Sequence, residues 1–379
     1  MIQTGIAQTI RVATFNVSME ASNYLPAGVA PDGNELFDEL ASGNNQQIKN
    51  IAEIIQNIQP DIILLNEFDY TPDDERGVKA FLTHYLKPGQ NKQVGIDYRY
   101  YYTASVNTGV DSGLDLDRDG IASGKGGDAF GYGLYPGQYG MVILSRYPID
   151  VEGIRTFQQF LWRDMPGNLL NTIKDEQGRA WFSDEAQQIL RLSSKSHWDV
   201  PVNVGGNIIH ILASHPTPPV FDGPEDRNGK RNHDEIRFWR DYIQAGEQAN
   251  YIYDDAGNKG GFSGKDFVIL GDLNASAVEG DGIASGIGRL LNHHRVNADY
   301  VPTSKGGDLH SPENQHAASH TAEWRMRVDY VLPSKSLQVL KGGVFWPQPN
   351  EPQFYLMKDR TSSSDHRMVW LDVVLENRK

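Results

Sequence analysis

Five short motifs place carboxylates, amides and a histidine where runs of β-forming residues end. They are Thr14-Phe15-Asn16, Asn66-Glu67, Gly271-Asp272-Leu273-Asn274, Arg327-Val328-Asp329-Tyr330 and Ser364-Asp365-His366. Oxygen ligands converging from neighbouring strand ends, with one imidazole beside them, describe a divalent-cation site that works on phosphoesters. Taken singly, each has a plainer reading. Asn16 is equally a strand-end turn residue, and Glu67, following four aliphatics and Asn66, is equally a charge solvated at a sheet edge. Asp272 and Asn274, two apart after Gly271, project to one side, where a carboxylate can orient water and an amide can meet a phosphoryl oxygen. An Asx turn is the alternative there. Asp329 interrupts an apolar strand, and burying it is costly unless it is paired. His366 is the natural partner, since an Asp–His pair fixes the tautomer and favours the imidazolium. Asp365 then remains as a metal ligand.

A second histidine, His215, ends the apolar run 208–213, and the prolines at 216, 218 and 219 stiffen the loop after it. It reads as catalytic or as a structural strand-end histidine. Asp115-x-Asp117-x-Asp119-Gly120 copies the start of a calcium loop, but the twelfth position is Gly126, not an acid. With Asp128 as a substitute the loop can take Ca²⁺; otherwise it is an acidic surface turn. Arg227 and Arg231, just beyond His215, can clamp a non-reacting phosphate oxygen or serve as ordinary loop charges. His197 reads as a packed, hydrogen-bonded residue.

The elements that must carry these residues follow from periodicity. Strands are predicted over 11–17, 61–66, 98–104, 139–145, 207–214, 266–270, 327–332 and 368–374. Apolar residues at 48, 51, 54, 55 and 58 predict a helix over 44–58 that Pro60 ends, and a second helix is expected over 232–251, starting at Asn232. Polar, Gly-rich insertions near 108–137, 216–230 and 276–315 read as lids or irregular segments. No internal repeat or linker divides the chain, so one α/β domain over 1–379 is expected.

The balance of 35 basic against 49 acidic residues, net −14, opposes long-range attraction to a polyanion without excluding it locally. There is no cysteine, which removes disulfides, thiolate metal sites and thiol nucleophiles. No apolar run approaches the roughly 20 residues of a membrane span. Residues 1–9 show neither a basic nor an apolar signal region. With the absence of cysteine, the expectation is a secreted or periplasmic protein whose signal is not in this chain.

In order and type, the five motifs resemble the endonuclease/exonuclease/phosphatase superfamily, which includes deoxyribonucleases, sphingomyelinases and inositol-polyphosphate 5-phosphatases. The resemblance runs from Arg11 to Leu371. It implies a deoxyribonuclease I-like, four-layered α/β sandwich, two packed mixed β-sheets flanked by helices, with the site at their upper rim. It further implies that Asn16, Glu67, Asp272 and Asp365 hold Mg²⁺ or Mn²⁺. Asp272 would orient the attacking water, Asn274 contact phosphate, and Asp329 orient His366. His215 matches a second catalytic histidine of the deoxyribonuclease and sphingomyelinase branches, and its acidic partner is not identifiable. The expected activity is hydrolysis of a small or medium phosphoester. The alternatives are a secreted nuclease, a lipid-headgroup esterase and a non-catalytic binding module, with no obligate protein partner. A basic strip beside the site would favour the nuclease.

Overall fold

The computed structural model describes residues 8–376. Eleven strands run β1 (Gln8–Met19), β2 (Ile62–Phe68), β3 (Tyr100–Tyr102), β4 (Met141–Ser145), β5 (Arg155–Thr156), β6 (His197–Val204), β7 (Asn207–Ser214), β8 (Phe267–Asp272), β9 (Asp329–Pro333), β10 (Gln338–Val344) and β11 (Val369–Leu375). They form two sheets, ordered β10-β11-β1-β2-β4-β3 and β5-β6-β7-β8-β9. Both sheets are mixed: β1–β2 and β7–β8 pair in parallel, while β1–β11 and β8–β9, for example, pair antiparallel.

Side-chain alternation explains the layering. In β1, Ala13, Phe15 and Val17 point to the outer helices, while Ile10 and Val12 point to the opposite sheet. In β8, Phe267 and Ile269 face outward while Val268 and Leu270 face inward. These strands are apolar on both faces because both faces are covered. Helix Gln46–Ile58 sits on the first sheet, with Ile48, Ile51 and Ile55 in the same core as Phe15 and Leu65. Asn45 caps it by accepting the Ile48 N–H, and Gln59 ends it in the left-handed conformation before Pro60. Helix Arg227–Gln244 covers the second sheet through Ile236, Trp239 and Ile243. Helices, sheet, sheet and helices therefore make a four-layered α/β sandwich.

Three expectations need correction. The second long helix begins at Arg227, not at Asn232, and ends at Gln244, where Ala245 takes φ +58. Asn232 is no cap: its amide donates to the Thr217 and Leu273 carbonyls, at 2.8 and 3.0 Å. Strands β5, β6 and β10 were not anticipated. β6 alternates, with Trp198, Val200, Val202 and Val204 facing the core, but Pro201 sits inside it opposite His210, and β10 carries Lys341, Gly342 and Gly343, which obscure its pattern. The 276–315 insertion is partly regular, with helices Ser285–Leu291 and Lys305–His310.

Candidate active site

The first-sheet members stand at a local irregularity. The β1–β2 register shifts after Asn16, with Ser18 and Glu67 both at positive φ (48° and 55°). Bulges of this kind re-aim side chains and are frequent beside functional sites. Across the interface, Gly271 brings β8 so near β7 that an added Cβ would lie 2.0 Å from the Ser214 carbonyl oxygen. Asn66 joins the sheets: its Oδ1 accepts the Asp272 N–H at 3.1 Å, and its Nδ2 reaches the Ser214 carbonyl at 3.5 Å.

Asp272 is the hub. Its Oδ2 meets Asn16 Nδ2 at 3.2 Å, His215 Nε2 at 3.4 Å and His366 Nε2 at 3.5 Å, and its Oδ1 accepts the Asn274 N–H at 3.0 Å. His366 donates from Nδ1 to Asp329 Oδ2 at 2.9 Å, as the strand pattern suggested. Ser364 supports this pair, accepting the His366 N–H at 3.0 Å while donating to the Asn16 carbonyl at 2.7 Å. Burial opposes the His366 charge, but the Asp329 and Asp272 carboxylates outweigh it and hold its pKa up, at about 10. Burial likewise works against the Asp272 anion, and His366 and His215 overcome it, keeping this carboxyl well below its ordinary range. Burial, then the Lys195 charge, pushes His215 down to about 4, leaving it neutral, with Nδ1 buried and unpartnered.

Asp272, Asp329 and His366 offer ligand atoms within 4.8 Å of one another. Since His366 is already committed to both carboxylates, this trio is a hydrogen-bond relay, not a coordination shell. The remaining oxygen donors are Glu67, which interacts with Asn16, Asp365 and Asp272, and Asp365 itself, whose Oδ1 accepts from Ser18 Oγ at 3.2 Å. Burial lifts the Glu67 carboxyl to about 7 despite His366 and Asn16 nearby. A carboxylate so poorly compensated fits a cation-binding role, and the all-oxygen set Asn16, Glu67, Asp272 and Asp365 has the chemistry for a hard divalent ion, although the oxygens of Glu67, Asp272 and Asp365 do not all lie within 4.8 Å of one another.

Asn274 lies beside these groups at φ +52, one amide N–H donated to the Pro216 carbonyl at 3.1 Å. The two arginines do not join it. Arg231 is half-buried and donates to the carbonyls of Leu192, Phe130, Arg191 and Ser193, at 2.6 to 3.1 Å, so it fastens the 108–137 insertion to the helix. Arg227 pairs with Glu225 and lies over the Trp181 ring at 4.9 Å. Both are engaged with the protein itself, on a helix that starts earlier than expected and includes them. Asp115, Asp117 and Asp119 do converge. Asp128 does not complete them, since it accepts from the Leu116, Asp117 and Ser123 N–H groups instead.

Two residues of the site were not foreseen. Lys195 is 5% exposed, in the field of Glu235, Glu67 and Asp272, yet among the described residues nothing hydrogen-bonds its ammonium. Glu235 is already taken by the Ser194 and Thr217 N–H groups, at 2.6 and 2.7 Å. Most of the Lys195 side chain is buried, and an ammonium free of hydrogen bonds among these carboxylates can receive an anion. Trp324, 46% exposed at the tip of the hairpin that precedes β9, stands edge-on to His366 at 4.8 Å between ring centroids.

Residues 13–366 match the model of the Endonuclease/Exonuclease/phosphatase family. The chain belongs to that family. Among solved structures, an endonuclease/exonuclease/phosphatase from Beutenbergia cavernae superposes with TM-score 0.51 at 18% identity, covering 98% of this chain and 72% of that one. The human Nocturnin catalytic domain gives 0.45 at 15% identity, over 97% and 95% of the two chains. Sphingomyelinase C from Streptomyces griseocarneus gives 0.44 at 13%, over 96% and 99%. No curated protein sequence matches the chain.

Proposed function

We propose that the protein hydrolyses phosphodiesters by in-line attack of water on phosphorus. The observation that carries this reading is the cradle around Asp272 Oδ2, where Asn16, His215 and His366 nitrogens converge while Asp329 backs His366. Held far below its ordinary pKa, Asp272 is a weak base, so its main contribution is orienting the water; it takes the proton as the new P–O bond forms. His366 arrives as a cation and donates from Nε2 to the charge that builds on the phosphoryl oxygens as the bond to the leaving oxygen breaks. Lys195 meets the same charge, and the second N–H of the Asn274 amide supplies a neutral donor. His215, neutral, holds the same Asp272 Oδ2 through its Nε2. A divalent cation held by Asn16, Glu67, Asp272 and Asp365 would supply Lewis-acid stabilisation, Mg²⁺ or Mn²⁺ fitting these donors. The cysteine-free composition supports an extracytoplasmic setting.

The test uses chelator-stripped protein with Mn²⁺, Mg²⁺ or Ca²⁺ restored singly, on bis-p-nitrophenyl phosphate, p-nitrophenyl phosphate and plasmid DNA. Metal-restored turnover of a diester that His366→Ala abolishes is the expected result. Activity untouched by chelation or by His366→Ala refutes the assignment, and silence on every substrate transfers weight to a binding module.

A further inference from the structure

Tyr139 is a bulky residue held in the left-handed region, at φ +57. Its place follows from register. Asn66 pairs with Met141 across β2 and β4, and the Phe68 N–H donates to the Gly140 carbonyl at 3.1 Å. Residue 139 therefore stands just before β4, level with the end of β2 that carries Glu67, itself at φ +55. The approach is close: a Cβ added at Gly140 would lie 2.5 Å from the Phe68 carbonyl oxygen.

The surroundings hold this conformation in place. The Tyr139 N–H donates to Asp69 Oδ1 at 3.0 Å, while the other oxygen of buried Asp69 accepts the Tyr135 hydroxyl and the Ala21 N–H, at 2.6 and 2.8 Å. Gln138, fully buried, donates from Nε2 to Glu20 Oε2 at 2.8 Å, and its carbonyl accepts the Thr108 hydroxyl. The two ends of the 108–137 insertion are thereby tied to each other and to the chain leaving β1 and β2. A backbone dihedral this costly, kept by so many bonds, points to a use for the side chain it presents.

That side chain carries an uncommitted donor. Among the described residues the Tyr139 hydroxyl meets no partner, and the half-buried residue does not seal it from solvent. Burial, then the Glu20 and Glu67 carboxylates, push its ionisation up, so it keeps its proton. The other members of the cradle on the Glu67 side are oxygen ligands, which repel phosphoryl oxygens. His366, Lys195 and the Asn274 amide supply donors elsewhere, and a neutral hydroxyl beside Glu67 supplies one here.

We propose that Tyr139 is a substrate-contacting residue, its hydroxyl donating to a non-reacting phosphoryl oxygen on the Glu67 side of the cradle. The proposal rests on the phosphodiester reading and adds to it a contact that binds the phosphate without taking part in the proton transfers.

Binding, read without turnover, separates this proposal from the hydrolytic one. Inorganic phosphate is titrated by calorimetry into the full chain and into Tyr139→Phe, both saturated with Mn²⁺, and Mn²⁺ alone is titrated into each by electron paramagnetic resonance. Tyr139→Phe removes one oxygen that the folded protein does not bond, so its urea midpoint should match the parent's. Phosphate affinity is expected to fall about tenfold, the loss of one hydrogen bond to a charged acceptor, with Mn²⁺ affinity unchanged. On bis-p-nitrophenyl phosphate KM should rise by a similar factor, about tenfold, while kcat stays within about threefold. The proposal is overturned if Tyr139→Phe binds phosphate as its parent does. It is equally overturned if Mn²⁺ affinity falls while phosphate affinity at saturating Mn²⁺ holds, which would make Tyr139 a support for Glu67. Phosphate binding that weakens as expected in a protein whose parent hydrolyses nothing would retain the contact and discard the catalytic reading.

Discussion

Replacing Lys195 by Met is expected to move stability and activity in opposite directions. The two side chains have similar length and volume, so packing is largely conserved. The substitution removes an ammonium on a largely buried side chain for which the folded protein provides no hydrogen bond. Burial lowers the Lys195 pKa, and the attraction of Glu235, Glu67 and Asp272 does not overcome it. The sign is then fixed: a lysine depressed on folding costs stability at every pH where the unfolded chain is protonated, and that cost vanishes only above pH ~10. Lys195→Met should therefore raise the unfolding free energy of the chelated protein by about 1 kcal/mol or more near pH 7.5. Loss of one cation facing the transition-state charge should lower kcat for bis-p-nitrophenyl phosphate by about 10²–10³-fold. Urea denaturation in EDTA reads the first, and steady-state kinetics with Mn²⁺ the second. A destabilised variant of normal activity would refute the reasoning and make Lys195 a structural residue whose partner is internal.

Three further outcomes are expected. Asp329→Asn should leave His366 in place but in the wrong tautomer, lowering kcat by about 10³-fold with little change in KM; a rise confined to KM would argue against the relay. Arg231→Ala removes a donor from four carbonyls, of which that of Ser193 keeps the Asn107 amide, and should cost about 2–4 kcal/mol in chemical denaturation, whereas unchanged stability with a raised KM would restore the phosphate clamp. His197 is fully buried and neutral, donating from Nε2 to the Glu235 carbonyl at 2.9 Å while Nδ1 accepts from Ser193 Oγ at 2.5 Å, and burial pushes its pKa to about 4. Its contribution is intact above pH ~6.5 and declines towards pH ~4, by on the order of 3 kcal/mol. Unfolding free energies at pH 7, 5.5 and 4 should fall less steeply in His197→Gln, and parallel slopes would assign the acid sensitivity elsewhere.

The catalytic cradle was legible because strand-end carboxylates are locally conspicuous: a run of aliphatics followed by Asp or Glu needs no distant information. Asp272, Asp329 and His366 meet as their motifs suggested. The features that escaped depend on contacts between remote segments. Lys195 lies in Ser193-Ser194-Lys195-Ser196, a string that reads as solvated loop, and only the docking of helix Arg227–Gln244 buries it. Arg231 looked available for substrate because its four carbonyl acceptors come from segments 38 to 101 residues away. Strand β6 was hidden by Pro201 and by Asp199, whose carboxylate is satisfied by His210 and Tyr242.

The division of the cradle between two sheets has a consequence for when the chain becomes active. Asn16, Glu67 and His366 stand on or beside strands of the first sheet, His215, Asp272 and Asp329 on or beside those of the second, and Asn16 reaches Asp272 across 256 residues. Ser18 and Asp365, 347 residues apart, must also find each other. Until the segment carrying Asp365 and His366 has docked beside β1, the cradle lacks the imidazole that backs Asp272 and the carboxylate that meets Ser18. Order at the site is therefore tied to the pairing of β11 with β1, and loosening that pairing should dissolve the cradle before it unfolds either sheet.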